Sequence, residues 1–294
     1  MRPRINAVPE IILISTFIFA SLLAIFISET VTSIPNGPPS PSSTSGFGYI
    51  IYYLVAAVVF SAAIIFLGRR RGAGIIRYFF IAVATFVVYY VFSILGLYIA
   101  DTLLEYYIIS FAPAAVLAFL MVRYQKWYIT NIVGFIMTAG VASIWAEVIG
   151  VWASVVFLSV FAVYDYISVY RTKHMISLAR ISVEQRLPML FVYPTRKGAS
   201  ADNLNFEPRD TGGRGDVIAL GFGDTVFPSI MVVSSALFQP LHPLLFIGLP
   251  MAGASIGMLI LFFGLPSRPA PGLPLINSGA IGGFLIAVAL TFLH

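Results

Sequence analysis

The 294-residue chain is 59% hydrophobic, only 10% charged, and carries a formal net charge of +5. Soluble domains carry about 25% charged residues, so this chain cannot cover a surface with charge, and lipid must be the solvent for most of it. Cysteine is absent, which excludes disulfide and thiol chemistry, and the scattered His174, His242 and His294 form no metal-ligand pattern.

In chain order, a spanning helix needs about 20 mainly apolar residues. Nine such segments are expected, at roughly 8–28, 48–68, 76–98, 106–122, 128–146, 149–170, 216–237, 241–264 and 270–293. The first is too long for the apolar core of a signal peptide and no small-residue cleavage site follows it, so it reads as a retained span. A tight Glu147–Gly150 turn separates the fifth from the sixth. Residues 33–46 (S-I-P-N-G-P-P-S-P-S-S-T-S-G) read as an extended outer loop. Y-Q-K-W-Y at 124–128 reads as a juxtamembrane anchor of aromatic and basic residues.

The chain thus divides into a six-helix part, 1–170, a polar segment, 171–215, and a three-helix part, 216–294, in one integrated membrane domain. The front of the polar segment, R-I-S-V-E-Q-R-L-P-M-L-F-V, reads as the continuation of an amphipathic interfacial helix. Its rear, 198–215, reads as disordered.

All 17 Lys and Arg residues fall before the first span or at alternate connections between these spans, and so on one side of the membrane. The opposite connections hold Glu29, Asp101, Glu105 and Glu147 and no base. Basic loops stay in the cytoplasm, which predicts a cytoplasmic N-terminus and an extracytoplasmic C-terminus. The positive charge therefore sets topology, and nucleic acid is not an expected partner.

Most acids are peripheral. Glu10 and Asp216 stand at the expected starts of their helices, where negative charge suits the helix dipole. Asp165 and Asp224 alone fall inside spans. Asp165 lies six residues before Arg171, and Asp224 eight residues after Asp216. At about 1.5 Å per residue both are some 9–12 Å below the same surface. A charge at mid-helix costs about 2.5–3.5 kcal/mol on insertion scales, so intramembrane acids face protein or water, and these two are expected to face each other. Two carboxylates in low dielectric do not both ionise readily, so the pair holds one shared proton. That supplies a base to deprotonate water and an acid to protonate a peptide carbonyl.

Gly221 and Gly223 remove side chains beside Asp224, which lets a backbone approach, although glycines also serve plain helix packing. R-P-A-P-G-L-P-L at 268–275 opens the ninth span. Its prolines cannot donate backbone hydrogen bonds, so this stretch must be irregular. Irregular backbone at membrane depth lies against protein or a water-filled cavity. It is expected to offer free carbonyls near the acids, with Leu273 projecting toward them and Gly272 keeping the backbone close. Spacing alone leaves three readings open: hydrolysis, a proton- or cation-coupled transporter using both aspartates as carriers, or a structural carboxylate pair in a scaffold.

Tyr164-Asp165, Gly221-Phe222-Gly223-Asp224 and Pro271-Gly272-Leu273 followed by Pro274 resemble, in order and spacing, the motifs of the intramembrane aspartyl proteases, the presenilins and signal peptide peptidases. The resemblance covers essentially the whole chain. It departs from the family at Gly272, where alanine is usual, and in a polar segment much shorter than that of animal presenilins, so the chain resembles a compact microbial homologue. The resemblance implies that Asp165 and Asp224 are the catalytic pair, and that Tyr164, Gly221, Phe222, Gly223, Pro271, Gly272, Leu273 and Pro274 shape the site. It implies transmembrane helices of other proteins as substrates, a cell-membrane location in a prokaryote, and no metal or other cofactor. The charge partition matches the presenilin orientation of the two branches.

Overall fold

The computed structural model describes residues 7–33, 73–124, 126–172, 189–194, 217–239, 242–264 and 271–292. The expected second span, the outer loop and most of the polar segment lie outside the described residues. Six described helices are long and apolar enough to cross a membrane, and a shorter apolar helix joins them. The architecture is that of a polytopic helical membrane protein.

Helix α1 spans Val8–Ser33, and Pro35 follows it in the sequence. Helices α2 (Ala73–Ile99) and α3 (Leu103–Arg123) form a tight antiparallel pair. The turn between them closes because Thr102 caps α3. Its hydroxyl accepts the Glu105 N–H at 3.3 Å, and the Glu105 carboxylate accepts the Asp101 N–H at 2.9 Å. At the other end Arg77 of α2 donates to the carbonyls of Met121 and Val122, both at 3.1 Å, which satisfies two of the last carbonyls of α3.

Helix α4 runs from Trp127 to Ile167 with a break at Gly150, whose φ of 67° and ψ of 174° are not helical. The apolar run Trp127–Tyr170 has 44 residues. As one straight helix it would be about 66 Å long, twice the ~30 Å of a hydrocarbon core, so it must turn back. The stacked rings of Trp145 and Phe157, 5.1 Å apart, show that it does. The turn expected at Glu147–Gly150 is therefore present, and the left-handed φ at Gly150 makes it possible. The C-terminal half of α4 widens into a π-helical turn at Ser168–Thr172.

Two short strands are an addition to the helical plan. β1 (Leu190–Pro194) pairs antiparallel with β2 (Val217–Gly221), Val192 opposite Ala219. The helical continuation expected through Val192 is thus replaced by a strand over its last residues. The expected helix 216–237 begins later, as α5 at Phe222–Phe238. Both stretches are short apolar runs, whose pattern suits strand and helix alike.

α5 sits at the centre, and its middle residues, Pro228–Ala236, are buried. Hydroxyl pairs tie it to its neighbours: Ser229 to Ser21 of α1 at 2.8 Å, Ser234 to Ser154 at 2.9 Å and Thr225 to Thr138 at 3.0 Å, the last two in opposite halves of α4. Such bonds average only about 0.6 kcal/mol each in a membrane. Their effect here is to fix register, because lipid offers no competing partner. α6 (Pro243–Leu259) and α7 (Leu273–Phe292) then close the bundle.

Gly253 of α6 meets Gly279 of α7 backbone to backbone, so a Cβ on either would run into the other helix's carbonyl. Gly282, one turn on, has open space around it. Gly279→Ala should therefore destabilise the protein by about 1–3 kcal/mol through overpacking, and Gly282→Ala should be close to neutral. Thermal unfolding of both variants in detergent checks this. Equal melting temperatures would mean that the seam relaxes freely.

Candidate active site

Asp165 lies in the C-terminal half of α4 and is 2% exposed. Its Oδ2 accepts the backbone N–H of Leu273 at 3.1 Å, and its Oδ1 is buried without a protein partner. Leu273 is the first residue of α7. Its N–H is one of the four that a helix start leaves unpaired, so Asp165 acts as a cap delivered from another helix.

Asp224 stands in the first turn of α5, not two turns inside a longer helix. β2 ends at Gly221, the residue just before the helix, and Asp224 reaches back to accept the Gly221 N–H. Both acids therefore meet the positive end of a helix. Contact with a helix start stabilises negative charge without a basic side chain.

The start of α7 joins the two acids. A Cβ built on Gly272 would lie 2.9 Å from Asp224 Oδ1, while the next residue, Leu273, bonds Asp165. Consecutive residues thus touch one carboxylate each, and the two acids interact electrostatically. Pro271 and Gly272 lie outside the helix, as irregular backbone was expected to. The Gly272 carbonyl is not free, however, because it accepts the Ile276 N–H at 3.1 Å. Among its described residues the segment meets Asp165 with an N–H, while the Gly272 carbonyl is turned into the helix. The reason is that a helix start exposes donors and consumes acceptors.

The remaining motif residues divide. Pro271, Gly272 and Leu273 are buried, the last two against the carboxylates, and Pro274 is in the first turn of α7. Gly221 and Gly223 flank Asp224, as above. The Phe222 ring packs at a tilt against Phe191 of β1, centroids 4.7 Å apart, and presses on Gly134. Tyr164 is not brought to the acids: it is 62% exposed and its ring meets Phe161 edge-on.

Three residues that support the site carry no motif. Asn277, fully buried, donates to the Leu158 carbonyl at 3.2 Å and so adds a second rung to the seam that holds Leu273 against Asp165. Thr138 bonds Thr225, the neighbour of Asp224. Asn131 binds β1. Among the described residues no group of three or more His, Cys, Asp or Glu side chains could hold a metal ion.

The family model for signal-peptide peptidase, presenilin aspartyl protease matches residues 14–292. No curated protein matches the chain. Similar solved structures include two of a presenilin family intramembrane aspartate protease. The one in space group C222 has a TM-score of 0.67 at 26% identity, covering 97% of this chain and 99% of that one. The one in space group P2 has a TM-score of 0.66 at 27% identity, covering 99% of each. Nothing in these likenesses supports the transporter reading. With a family match over nearly its whole length and a fold to go with it, the chain belongs to the signal-peptide peptidase, presenilin aspartyl protease family and is a multi-pass intramembrane hydrolase.

Proposed function

We propose that Asp165 and Asp224 are the catalytic pair and hydrolyse peptide bonds within transmembrane helices of other membrane proteins. The observation that carries this reading is the shared contact with α7, Gly272 against Asp224 and Leu273 on Asp165. With one proton between them, the ionised carboxylate takes a proton from water. The water oxygen attacks the scissile carbonyl carbon, and the protonated partner gives its proton to the carbonyl oxygen. Collapse of the tetrahedral intermediate breaks the C–N bond, with a proton passing to the leaving amine. The unpartnered Oδ1 of Asp165 is an acceptor suited to the attacking water.

A substrate helix has to unwind first, and its freed N–H and C=O groups then need partners. The edge of β2 suits this need. Both backbone polar groups of Val192 go to Asn131, so they point away from β2. In an antiparallel pair the opposite residue, Ala219, then points its own groups away from β1. Among the described residues β2 thus offers an unpaired edge that leads directly to Asp224.

The nine-span topology with a cytoplasmic N-terminus and an extracytoplasmic C-terminus is part of this reading. So is the arrangement of 1–170 and 216–294 as one membrane domain around the 171–215 segment. The one-sided distribution of Lys and Arg supports the first. The hydroxyl pairs between α5, α1 and α4 support the second.

Three measurements check the proposal. Asp165→Ala and Asp224→Ala should each abolish cleavage of a transmembrane peptide in detergent. The double variant should be no worse, because the pair acts as one unit, and the parent rate should be bell-shaped in pH. Substantial cleavage by either single variant removes that residue from the mechanism. Because the chain lacks cysteine, Ser42→Cys should react with an impermeant thiol reagent only from outside and Ser200→Cys only from inside; reversed labelling inverts the topology. Gly272→Ala should keep cleavage within about tenfold of parent, since only the mobile end of Asp224 must give way. Gly272→Val should lose about a hundredfold or more, the scale of a 1 Å misplacement. Parent-like cleavage by Gly272→Val would separate α7 from the chemistry.

A further inference from the structure

We infer that Asn131 is a positioning residue that sets which peptide bond of a substrate is cut, by holding β1 and through it the free edge of β2. This rests on the reading of that edge as the place where substrate is extended.

Asn131 lies in the N-terminal half of α4 and is 7% exposed. Its Nδ2 donates to the Val192 carbonyl at 2.9 Å, and its Oδ1 accepts the Val192 N–H at 2.9 Å. A primary amide is the side chain that can match both polar groups of one peptide unit. It therefore reads backbone, and it reads it at a single residue. A slip of β1 by one residue would break both bonds and turn every side chain of the strand over. Phe191, fully buried against Phe222, would then leave the core.

Two further residues on the same helix face complete the grip. Asn131, Gly134 and Thr138 follow one another at steps of three and then four residues, so the three line one stripe of α4. Gly134 receives the rings of Phe222 and Phe191, which lie where its Cβ would be. Thr138 bonds Thr225, next to Asp224. The stripe thus contacts β1, the junction of β2 with α5, and the first turn of α5, in that order. Together with the direct chain link from Gly221 to Phe222, it fixes how the edge of β2 stands to the Asp224 carboxylate. A peptide paired with that edge inherits the same offset, so the bond presented to the acids follows from the lock at Asn131.

The test uses the full-length protein in detergent with one transmembrane peptide. Product masses, initial rates and thermal unfolding are recorded together for the parent, Asn131→Leu, Asn131→Asp and Ala219→Pro. Asn131→Leu removes both bonds to Val192. It should lower the rate at least about tenfold and move products to bonds two residues away, since a slip of two keeps each side chain on its face. Asn131→Asp keeps the acceptor for the Val192 N–H and should lie between parent and Asn131→Leu in both readouts; it carries the test if Asn131→Leu does not fold. Ala219→Pro deletes an N–H from the free edge with Asn131 untouched. Parent-like behaviour of Ala219→Pro would remove the edge as the substrate's partner, and this inference with it. Impairment of Ala219→Pro with parent product masses from the Asn131 variants, any rate loss following their melting temperatures, would leave Asn131 a structural residue and overturn the proposal.

Discussion

A carboxylate inside an apolar bundle has few ways to be tolerated. Lipid cannot solvate it, and the bases of this chain stand at or beyond the ends of the spans. What remains is the backbone, and within a helix N–H groups are unpaired only at its start. Asp224 accordingly stands at the start of α5, and Asp165 is met by the start of α7. The geometry of the site follows from this constraint. Two helices must start at one depth, and a third must bring an acid to them. The segment before each start must also be non-helical, as β2 and Pro271-Gly272 are.

Much of this is legible in the sequence because lipid imposes it through composition. Long apolar runs mark the helices, the Glu147–Gly150 break marks the reversal of α4, and the two acids stand out within runs that tolerate almost no charge. What is not legible depends on partners distant in sequence. Val217–Gly221 is as apolar as the helix it precedes, and only its pairing with Leu190–Pro194 makes it a strand. The pairing in turn needs Asn131, 61 residues from Val192. An amide in an apolar run signals a protein-facing position, but not which backbone it will meet. Tyr164 shows the converse. It adjoins Asp165 in sequence, yet on a helix neighbouring residues face different ways, and its ring is directed outward.

Small polar groups and missing side chains divide the work of packing. Around α5 the contacts are hydroxyl pairs, which specify register and depth. Between α6 and α7 the contact is bare backbone at Gly253 and Gly279. In lipid, where apolar burial drives association weakly, close approach of this kind maximises van der Waals contact. The start of α7 is therefore held by a rigid partner on one side and by Asp165 and Asn277 on the other.

The break at Gly150 also makes α4 a pair of arms on one pivot. One arm carries the stripe that grips the strands and the first turn of α5, and the other carries Asp165. Asp165 stands 15 residues beyond the pivot, a lever of about 22 Å. A tilt of roughly 3° at Gly150 thus displaces its carboxylate by about 1 Å, the scale on which catalytic geometry is won or lost. The spacing between the acids is in this sense an angle stored at the far end of the bundle, in a residue that touches neither of them.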